Sequence, residues 1–216
     1  VTTFVTETQS AMFNVVSEIE TTIFGESIVE ITVFNTITDL ASRDQNVFVA
    51  PGSFVGHSRK AESSAFLRSF FIDLDVGPGK DYTDKQDALD ALDYLLEQAG
   101  LPEPVRVDSG GGIHAYWVFD ADIPSAEWKL YAEKFKAKVM EHIPIDPVVT
   151  ADVARIMRCP DTVNYKYATP ISTFVISHII PVYDFEEMKE YLGPITGLAA
   201  VLTVAQKGLD EDTLKM

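Results

Sequence analysis

Apolar residues alternate with polar ones in several segments of the chain, a pattern typical of half-buried strands. β-branched and aromatic residues dominate residues 27–36, 46–53 and 66–77, which we predict to be strands. Residues 105–119 have the pattern of two strands joined by a glycine-rich turn, and residues 171–183 are again strand-like.

Helical spacing of apolar residues appears between these strands. Leucines at 89, 92, 95 and 96 form one stripe; Thr83 and Gln86 fit a capping box before it and Gly100 a C-cap after it. A second helix is predicted from Ser125, and a short one over residues 185–192. The second helix would bury Trp128, Tyr131, Phe135 and Val139 and expose Lys129, Lys134, Lys136 and Lys138. Interspersed strands and helices predict an α/β or α+β fold with a mixed sheet.

Composition narrows the class of protein. The 216 residues are 46% hydrophobic, enough for one packed domain or two small lobes. The single cysteine, Cys159, excludes an internal disulfide and a multi-cysteine zinc site, so we expect a cytoplasmic protein without structural zinc. No apolar run approaches the roughly 20 residues of a membrane span, so no membrane partner is expected. Residues 194–216 lack a capped, periodic element and are interpreted as a tail or linker after a domain over residues 1–193.

The net charge of −16 argues against a protein that coats nucleic acid, because phosphate contacts supply most non-specific affinity. The positive charge is local, however. One basic group comprises His57, Arg59, Lys60 and Arg68, and a second comprises Arg155, Arg158 and Lys166. Such groups suit a compact anionic ligand, although ordinary surface charge explains them equally well.

The segment FIDLDVG, residues 71–77, places two carboxylates inside an apolar strand. Asp73 and Asp75 share one face because side chains alternate along a strand. Their repulsion at a spacing of about 6.5 Å is on the order of 2 to 3 kcal/mol at an effective dielectric near 20. A divalent cation such as Mg²⁺ would offset it, whereas an edge strand with one solvated face is the structural alternative.

Two further segments carry polar side chains suited to a phosphate ligand. Ser109–His114 combines a hydroxyl, three glycines that permit close approach and a histidine, but lacks the ending of a P-loop. The segment 146–166 offers two carboxylates and several cationic or amide side chains: Asp146, Asp152, Arg155, Arg158, Asn164 and Lys166. Asp146, before Pro147, is expected on a strand beside the first two aspartates. Asp152 is expected in the first turn of a helix capped by Thr150.

Together these three segments resemble the catalytic domain of the archaeo-eukaryotic primase (AEP) superfamily, in particular the primase-polymerases of phages and plasmids. The resemblance covers roughly residues 46–166 and implies an RRM-like palm packed with a second α/β unit. It implies catalytic, metal-binding roles for Asp73, Asp75 and Asp146, with two Mg²⁺ or Mn²⁺ ions. The nucleotide would contact Ser109, Gly111, His114, Arg155, Arg158, Asn164 and Lys166.

The same resemblance implies template-dependent nucleotidyl transfer. The expected partners are single-stranded or primed DNA, deoxynucleoside triphosphates with ribonucleotides left open, and a helicase domain in the same polypeptide. For a phage protein the location would be the host cytoplasm. One position departs from the family pattern, because Asp161 stands where glycine is usual, which puts the local turn in doubt.

Other functions remain as alternatives. A relaxase-type endonuclease needs a closely spaced histidine pair, which His57, His114, His142 and His178 do not provide. A nucleotidyl cyclase also uses two aspartates on a palm-like sheet and would differ by acting without a template. A non-catalytic nucleotide- or DNA-binding replication module would keep the fold without turnover.

Overall fold

A computed structural model describes residues 44–56 and 58–193, together with the main chain of four strands before residue 44. These strands are β1 (Thr2–Glu7), β2 (Met12–Val16), β3 (Thr22–Ile23) and β4 (Glu26–Ser27). The predicted strand over residues 27–36 lies outside the described residues beyond Ser27, as do His57 and the proposed tail over residues 194–216.

The remaining strands are β5 (Val47–Val49), β6 (Gly52–Phe54), β7 (Ser64–Asp75), β8 (Val105–Asp108), β9 (Gly112–Pro124), β10 (Met157–Arg158), β11 (Val163–Asn164), β12 (Ile171–Ser172), β13 (Phe174–Val175) and β14 (Val182–Tyr183). The helices are α1 (Lys85–Ala99), α2 (Ser125–Met140) and α3 (Phe185–Leu192), with a 3₁₀ turn at Ala61–Ser63. None of these helices is long and apolar enough to cross a membrane.

Within the described part of the chain, ten strands form one curled sheet in the order β10-β5-β1-β6-β7-β9-β8-β13. β2 is added on β1, and β14 pairs with β9 in parallel, whereas the other pairings are antiparallel. The long strands β7 and β9 therefore occupy the middle of the sheet. The predicted mixed sheet with interspersed helices is confirmed.

The aromatic core lies between the central strands and the helices that cover them. Phe70 of β7 stacks on Phe135 of α2, with ring centroids 4.9 Å apart, and meets Phe119 of β9 edge-on at 5.0 Å. Phe185 of α3 completes this cluster, and Trp128 donates its indole N–H to the Ser69 carbonyl at 2.9 Å. This packing fixes β7 and β9, which carry the predicted site residues at their other ends.

The predicted helices are present, with one change at a cap. Asp84, rather than Thr83, is the N-cap of α1, and its carboxylate accepts from the main-chain N–H groups of Gln86 and Asp87. Thr83, the residue before this N-cap, donates to the Asp87 carboxylate, so the predicted box of Thr83 and Gln86 does not form. Gly100 takes the left-handed conformation with φ 63°, as expected for the C-cap.

Two segments that were predicted to be extended, residues 46–53 and 171–183, form shorter strands than expected. Pro51 lacks an N–H donor, and residues 46–53 are divided there into the end of β5 and the start of β6. Residues 171–183 form three two-residue strands, β12, β13 and β14, which join three different partners. Apolar composition predicted extended backbone here, but not the change of partner.

Lysines of α2 form ion pairs and donate to main-chain carbonyls. Lys129 lies 2.9 Å from the Glu133 carboxylate, which also pairs with Lys136. Lys134 donates to the Gly193 carbonyl at 2.6 Å. Three of the four predicted lysines, Lys129, Lys134 and Lys136, are thus engaged within the protein.

Candidate active site

The two aspartates of β7 share one face of the central ladder, as predicted. Asp73 pairs with His114 of β9, and Asp75 pairs with Gly112, in a register that is regular from Ser69 onward. The Asp73 side chain is 18% exposed and the Asp75 side chain is 50% exposed. Asp73 therefore lies at the floor of the site and Asp75 at its rim.

A cleft of about 210 Å³ opens over this end of the ladder. It is lined by nine of the ten predicted site residues: Asp73, Asp75, Ser109, Gly111, His114, Arg155, Arg158, Asn164 and Lys166. The tenth, Asp146, lines a second cleft of about 240 Å³ that shares Asp73 and Asp75 with the first. The structure thus brings the three sequence segments together, while the roles of these residues stay predictions.

The glycine-rich turn between β8 and β9 is held against the end of β7. Ser109 donates from both its N–H and its hydroxyl to the Gly112 carbonyl, at 3.0 and 3.1 Å. Gly110 has φ 81°, which favours glycine. A Cβ on Gly112 would lie 2.2 Å from the Leu74 carbonyl oxygen, so only glycine fits there. The turn consequently lies directly beside Asp75.

His114 is buried and fixed by a neighbour on its own strand. Its Nδ1 lies 3.0 Å from the Tyr116 hydroxyl, and its Nε2 lies 3.7 Å from Asp73 Oδ1, which is too long for a hydrogen bond. Burial, reinforced by Arg158 and Arg155, lowers the pKa of His114 to about 3. The imidazole is therefore neutral at physiological pH, and the approach of Asp73 is not an ion pair.

Asp73 has an unusual environment for a carboxylate. Burial is the main cause that raises its pKa to about 7; Asp75 and Asp146 act in the same direction, and Arg155 and Lys80 oppose it. Its Oδ1 is buried and accepts no hydrogen bond. The position therefore favours a bound proton or a bound cation over a bare carboxylate.

The first cleft also has basic residues in its lining. Arg158 donates to Asn46 Oδ1 at 2.5 Å, and its guanidinium lies 4.6 Å from the centroid of the Phe48 ring. Arg155 has a buried Nε without a hydrogen-bond partner. Two arginines with such fixed or unsatisfied donors are suited to a phosphate group.

The segment after β10 is tied to the glycine-rich turn. Asn164 donates from Nδ2 to the Ser109 carbonyl at 3.0 Å and accepts from the Lys166 N–H at 3.0 Å. Gly110 lies against this side chain, since a Cβ there would be 2.9 Å from Asn164 Cβ. Asn164 is thus the link between the second and third sequence segments.

The described members of the first basic group, Arg59, Lys60 and Arg68, line neither cleft. Arg68 lies 3.4 Å from Asp122 and donates to the Asp120 carbonyl, and Lys60 lies 3.8 Å from Glu62. Arg59 donates to the Ala154 carbonyl. Among the residues that the structure describes, the cations that line the first cleft are those of the second basic group.

The local structures predicted for Asp146 and Asp152 are wrong. Asp146 lies in the irregular segment after α2, where its carboxylate accepts from the Val148 N–H at 2.9 Å. Asp152 makes the same kind of turn with the Ala154 N–H at 2.9 Å, and no helix begins at Thr150. Aspartate side chains that bond their own backbone two residues on favour turns, and this tendency outweighed the strand and helix signals. Asp152 lines neither cleft.

The departure at Asp161 leaves the turn intact. Asp161 has φ 59°, the left-handed conformation that glycine adopts readily and aspartate tolerates. Its N–H donates to the Thr173 carbonyl at 2.9 Å. This position therefore forms a left-handed turn although its residue is not glycine.

Sequence reasoning missed several lining residues. Phe48 and Tyr167 line the first cleft, and Tyr82 lines the second. Lys80, in the loop after β7, lies 2.6 Å from the Asp75 carboxylate. Lys80 could have been considered from the sequence, because it lies only five residues beyond Asp75. The contact of Phe48 with Arg158 joins residues more than a hundred positions apart, and no sequence pattern indicates it.

The carboxylates of the site are the type of ligand that a hard divalent cation prefers. They offer oxygen ligands, and the buried Asp73 Oδ1 has no other partner. In residues 44–56 and 58–193, however, no three His, Cys, Asp or Glu side chains are arranged to hold one ion. Lys80 occupies the Asp75 carboxylate in this arrangement.

Comparison with known proteins bears on the fold. No protein-family model and no curated protein sequence matches the chain. The AEP domain of the cyanophage S-2L primase-polymerase is similar in structure, with a TM-score of 0.61 at 18% sequence identity over 89% of each chain. The fold is that of an AEP domain.

Two other solved structures resemble this AEP fold more distantly. The catalytic domain of primase Repb′, in complex with initiator DNA, has a TM-score of 0.47 at 14% identity, covering 100% of this chain and 89% of its own. The polymerase domain of Mycobacterium tuberculosis Ligase D, in complex with DNA, has a TM-score of 0.46 at 13% identity, covering 96% and 71%.

Proposed function

We propose that the chain catalyses template-dependent nucleotidyl transfer, as a DNA primase, a DNA polymerase or both. The observation that supports this proposal is that carboxylates and cations line one cleft of an AEP fold. Asp73 and Asp75 line this cleft together with Arg155, Arg158 and Lys166.

The basic residues of the cleft would bind the triphosphate of the incoming nucleotide. Arginine donors bind phosphate oxygens with directional, charge-assisted hydrogen bonds, and Arg155 has an unsatisfied buried Nε to contribute. Arg158 is held in place by Asn46 and Phe48, so its guanidinium loses little freedom when a ligand binds. Lys166 would add a point charge to the same group.

The glycine-rich turn and His114 would orient the nucleotide. Gly111 and Ser109 line the cleft, where a backbone without side chains permits close approach. His114 is neutral and held by the Tyr116 hydroxyl, so it would contribute a fixed hydrogen bond rather than a charge. Such positioning brings the α-phosphorus into line with the attacking hydroxyl.

Asp73, Asp75 and Asp146 would hold Mg²⁺ or Mn²⁺. When bound, the ions supply charge stabilisation at the attacking and leaving oxygens of the displacement. The chain's own part is to present oxygen ligands at the junction of the two clefts, where Asp73 and Asp75 are common to both.

The partners follow from the proposed reaction. They are a single-stranded or primed DNA template and deoxynucleoside triphosphates, with ribonucleotides as possible alternatives to be tested. A helicase domain in the same polypeptide, a role in phage or plasmid replication and a location in the host cytoplasm belong to the same proposal.

A primer-extension assay tests this function. The chain is incubated with a single-stranded template, with and without a labelled primer, each nucleotide set and Mg²⁺ or Mn²⁺. We expect extension by the parent and none by Asp73→Asn or Asp75→Asn. Asp120→Asn, which changes an exposed aspartate on the neighbouring strand, is the matched control and should extend normally.

The assay also separates the alternatives. A product formed equally well without template would indicate a cyclase. Nucleotide binding without incorporation under any condition would indicate a non-catalytic module. Extension at the parent rate by Asp73→Asn would contradict the proposed site.

A further inference from the structure

The segment that carries Asp146 has little regular structure to hold it. It follows α2 and contains turns but no helix or strand up to β10. Asp146 itself is exposed, and its flanking residues Ile145 and Val149 are 7% and 1% exposed. These two buried apolar side chains anchor the segment in the core. They do not by themselves set the distance between Asp146 and β7, which must depend on other contacts.

Tyr82 supplies such a contact. Its hydroxyl donates to the Pro144 carbonyl at 2.7 Å, two residues before Asp146, and the side chain is buried. Burial, with Asp81 and Asp87, raises the pKa of Tyr82 to about 12, so the hydroxyl keeps the proton it donates.

The main chain of Tyr82 is fixed at the end of β7. Its carbonyl accepts from the Gly77 N–H at 2.9 Å, and it forms a parallel bridge with Val76, the residue after Asp75. One residue therefore connects the strand of the first two aspartates to the segment of the third. All three aspartates and Tyr82 line the second cleft.

We propose that Tyr82 is a positioning residue that sets the distance of Asp146 from Asp73 and Asp75 for divalent-cation binding. The inference rests on the proposed function for its assignment of Asp146 as a ligand. Tyr82 acts through the Pro144 carbonyl and does not itself coordinate the ion. A tyrosine that only filled the core would be replaceable by phenylalanine without effect on cation affinity.

The test is a titration with Mn²⁺ alone, followed by electron paramagnetic resonance, on the whole chain. Tyr82→Phe keeps the ring and removes the hydroxyl. We expect its Mn²⁺ affinity to fall about two- to tenfold, the factor that corresponds to one neutral hydrogen bond. Tyr183→Phe is the matched control, because that hydroxyl also donates to a main-chain carbonyl, of Glu103, at 2.8 Å, away from both clefts.

A double-variant cycle shows whether the effect passes through the third aspartate. Asp146→Ala should weaken Mn²⁺ binding, and Tyr82→Phe should add no further loss in that background. Tyr82→Met, which fills similar space without a hydroxyl, repeats the test should Tyr82→Phe fold poorly. Thermal unfolding of each variant separates a lost cation site from a lost fold.

Several outcomes would overturn the inference: parent affinity in Tyr82→Phe, an equal loss in Tyr183→Phe, no effect of Asp146→Ala, or no Mn²⁺ binding by the parent.

Primer extension distinguishes this failure from that of the proposed function. Extension by the parent with Tyr82-independent Mn²⁺ binding rejects only the positioning role. Tyr82-dependent binding in a parent that extends no primer rejects only the nucleotidyl-transfer activity.

Discussion

Replacing Asp73 by asparagine should stabilise the metal-free protein at neutral pH. The side chain is 18% exposed, its Oδ1 has no hydrogen-bond partner, and its pKa is raised from 3.8 to about 7. A carboxylate in this environment costs free energy when it ionises, and asparagine keeps a similar shape without the charge.

The sign and size of the effect follow from proton linkage. Below pH 3.8 the carboxyl is protonated in both the folded and unfolded states. Between pH 3.8 and about 7 the unfolded state releases the proton while the folded state retains it, so the parent loses stability as the pH rises. A pKa difference of this size corresponds to about 4 kcal/mol. Asp73→Asn should lack this loss.

Urea unfolding in the presence of EDTA, at several pH values from 3.5 to 8, measures the difference. Asp73→Asn should match the parent within about 1 kcal/mol at the acidic end and exceed it by up to about 4 kcal/mol at the other. Asp120→Asn should follow the parent throughout. Saturating Mg²⁺ should stabilise the parent at pH 8 and narrow the gap, because a ligand that binds only the folded state adds to its stability.

Two results would refute the reasoning about Asp73. A variant that is less stable than the parent at pH 8 would mean that the carboxylate is stabilised by a partner. A difference that is the same at pH 4 and pH 8 would mean that the substitution acts through packing and not through ionisation.

Three further predictions concern other residues of the site. His114→Ala should weaken nucleotide binding by a factor that is the same at pH 5.5 and pH 8, because the histidine is neutral at both; a titration at each pH measures it. Lys80→Gln should raise Mn²⁺ affinity about two- to fivefold by freeing the Asp75 carboxylate from a half-exposed ion pair, as a metal titration would show. Gly112→Ala should cost roughly 1 to 3 kcal/mol in urea unfolding, because its Cβ meets a main-chain carbonyl, whereas Gly111→Ala meets a tyrosine side chain that can move and should cost less.

The strands of the central ladder were predictable because their signals are local. The alternation around Asp73 and Asp75 placed both on one face, and the glycines after Asp108 marked the turn between β8 and β9. Each of these features depends on a few neighbouring residues. The pairing of β7 with β9, which sets Asp73 opposite His114, was not predicted, because it joins two segments that are separated in the chain by α1 and β8.

The rest of the site depends on contacts between distant segments. Asp146 was expected on a strand and lies in a turn, where Tyr82 and two apolar anchors hold its segment. The contact between the Phe48 ring and the Arg158 guanidinium likewise depends on the pairing of β5 with β10. No spacing in the sequence encodes such distances, because they result from the packing of whole elements.

The register between β7 and β9 does not depend on a turn that connects the two strands. These strands are antiparallel neighbours, yet α1 and β8 lie between them in the chain. Their register comes from the buried ladder itself and not from a connecting turn, so a change of length in the loop between α1 and β8 leaves Asp73 opposite His114. That loop, residues 101–104, is held separately, by the buried Leu101 and by the Pro102 carbonyl, which accepts from the Trp117 indole N–H at 2.7 Å, so the register of the two side chains at the floor of the cleft does not depend on a turn.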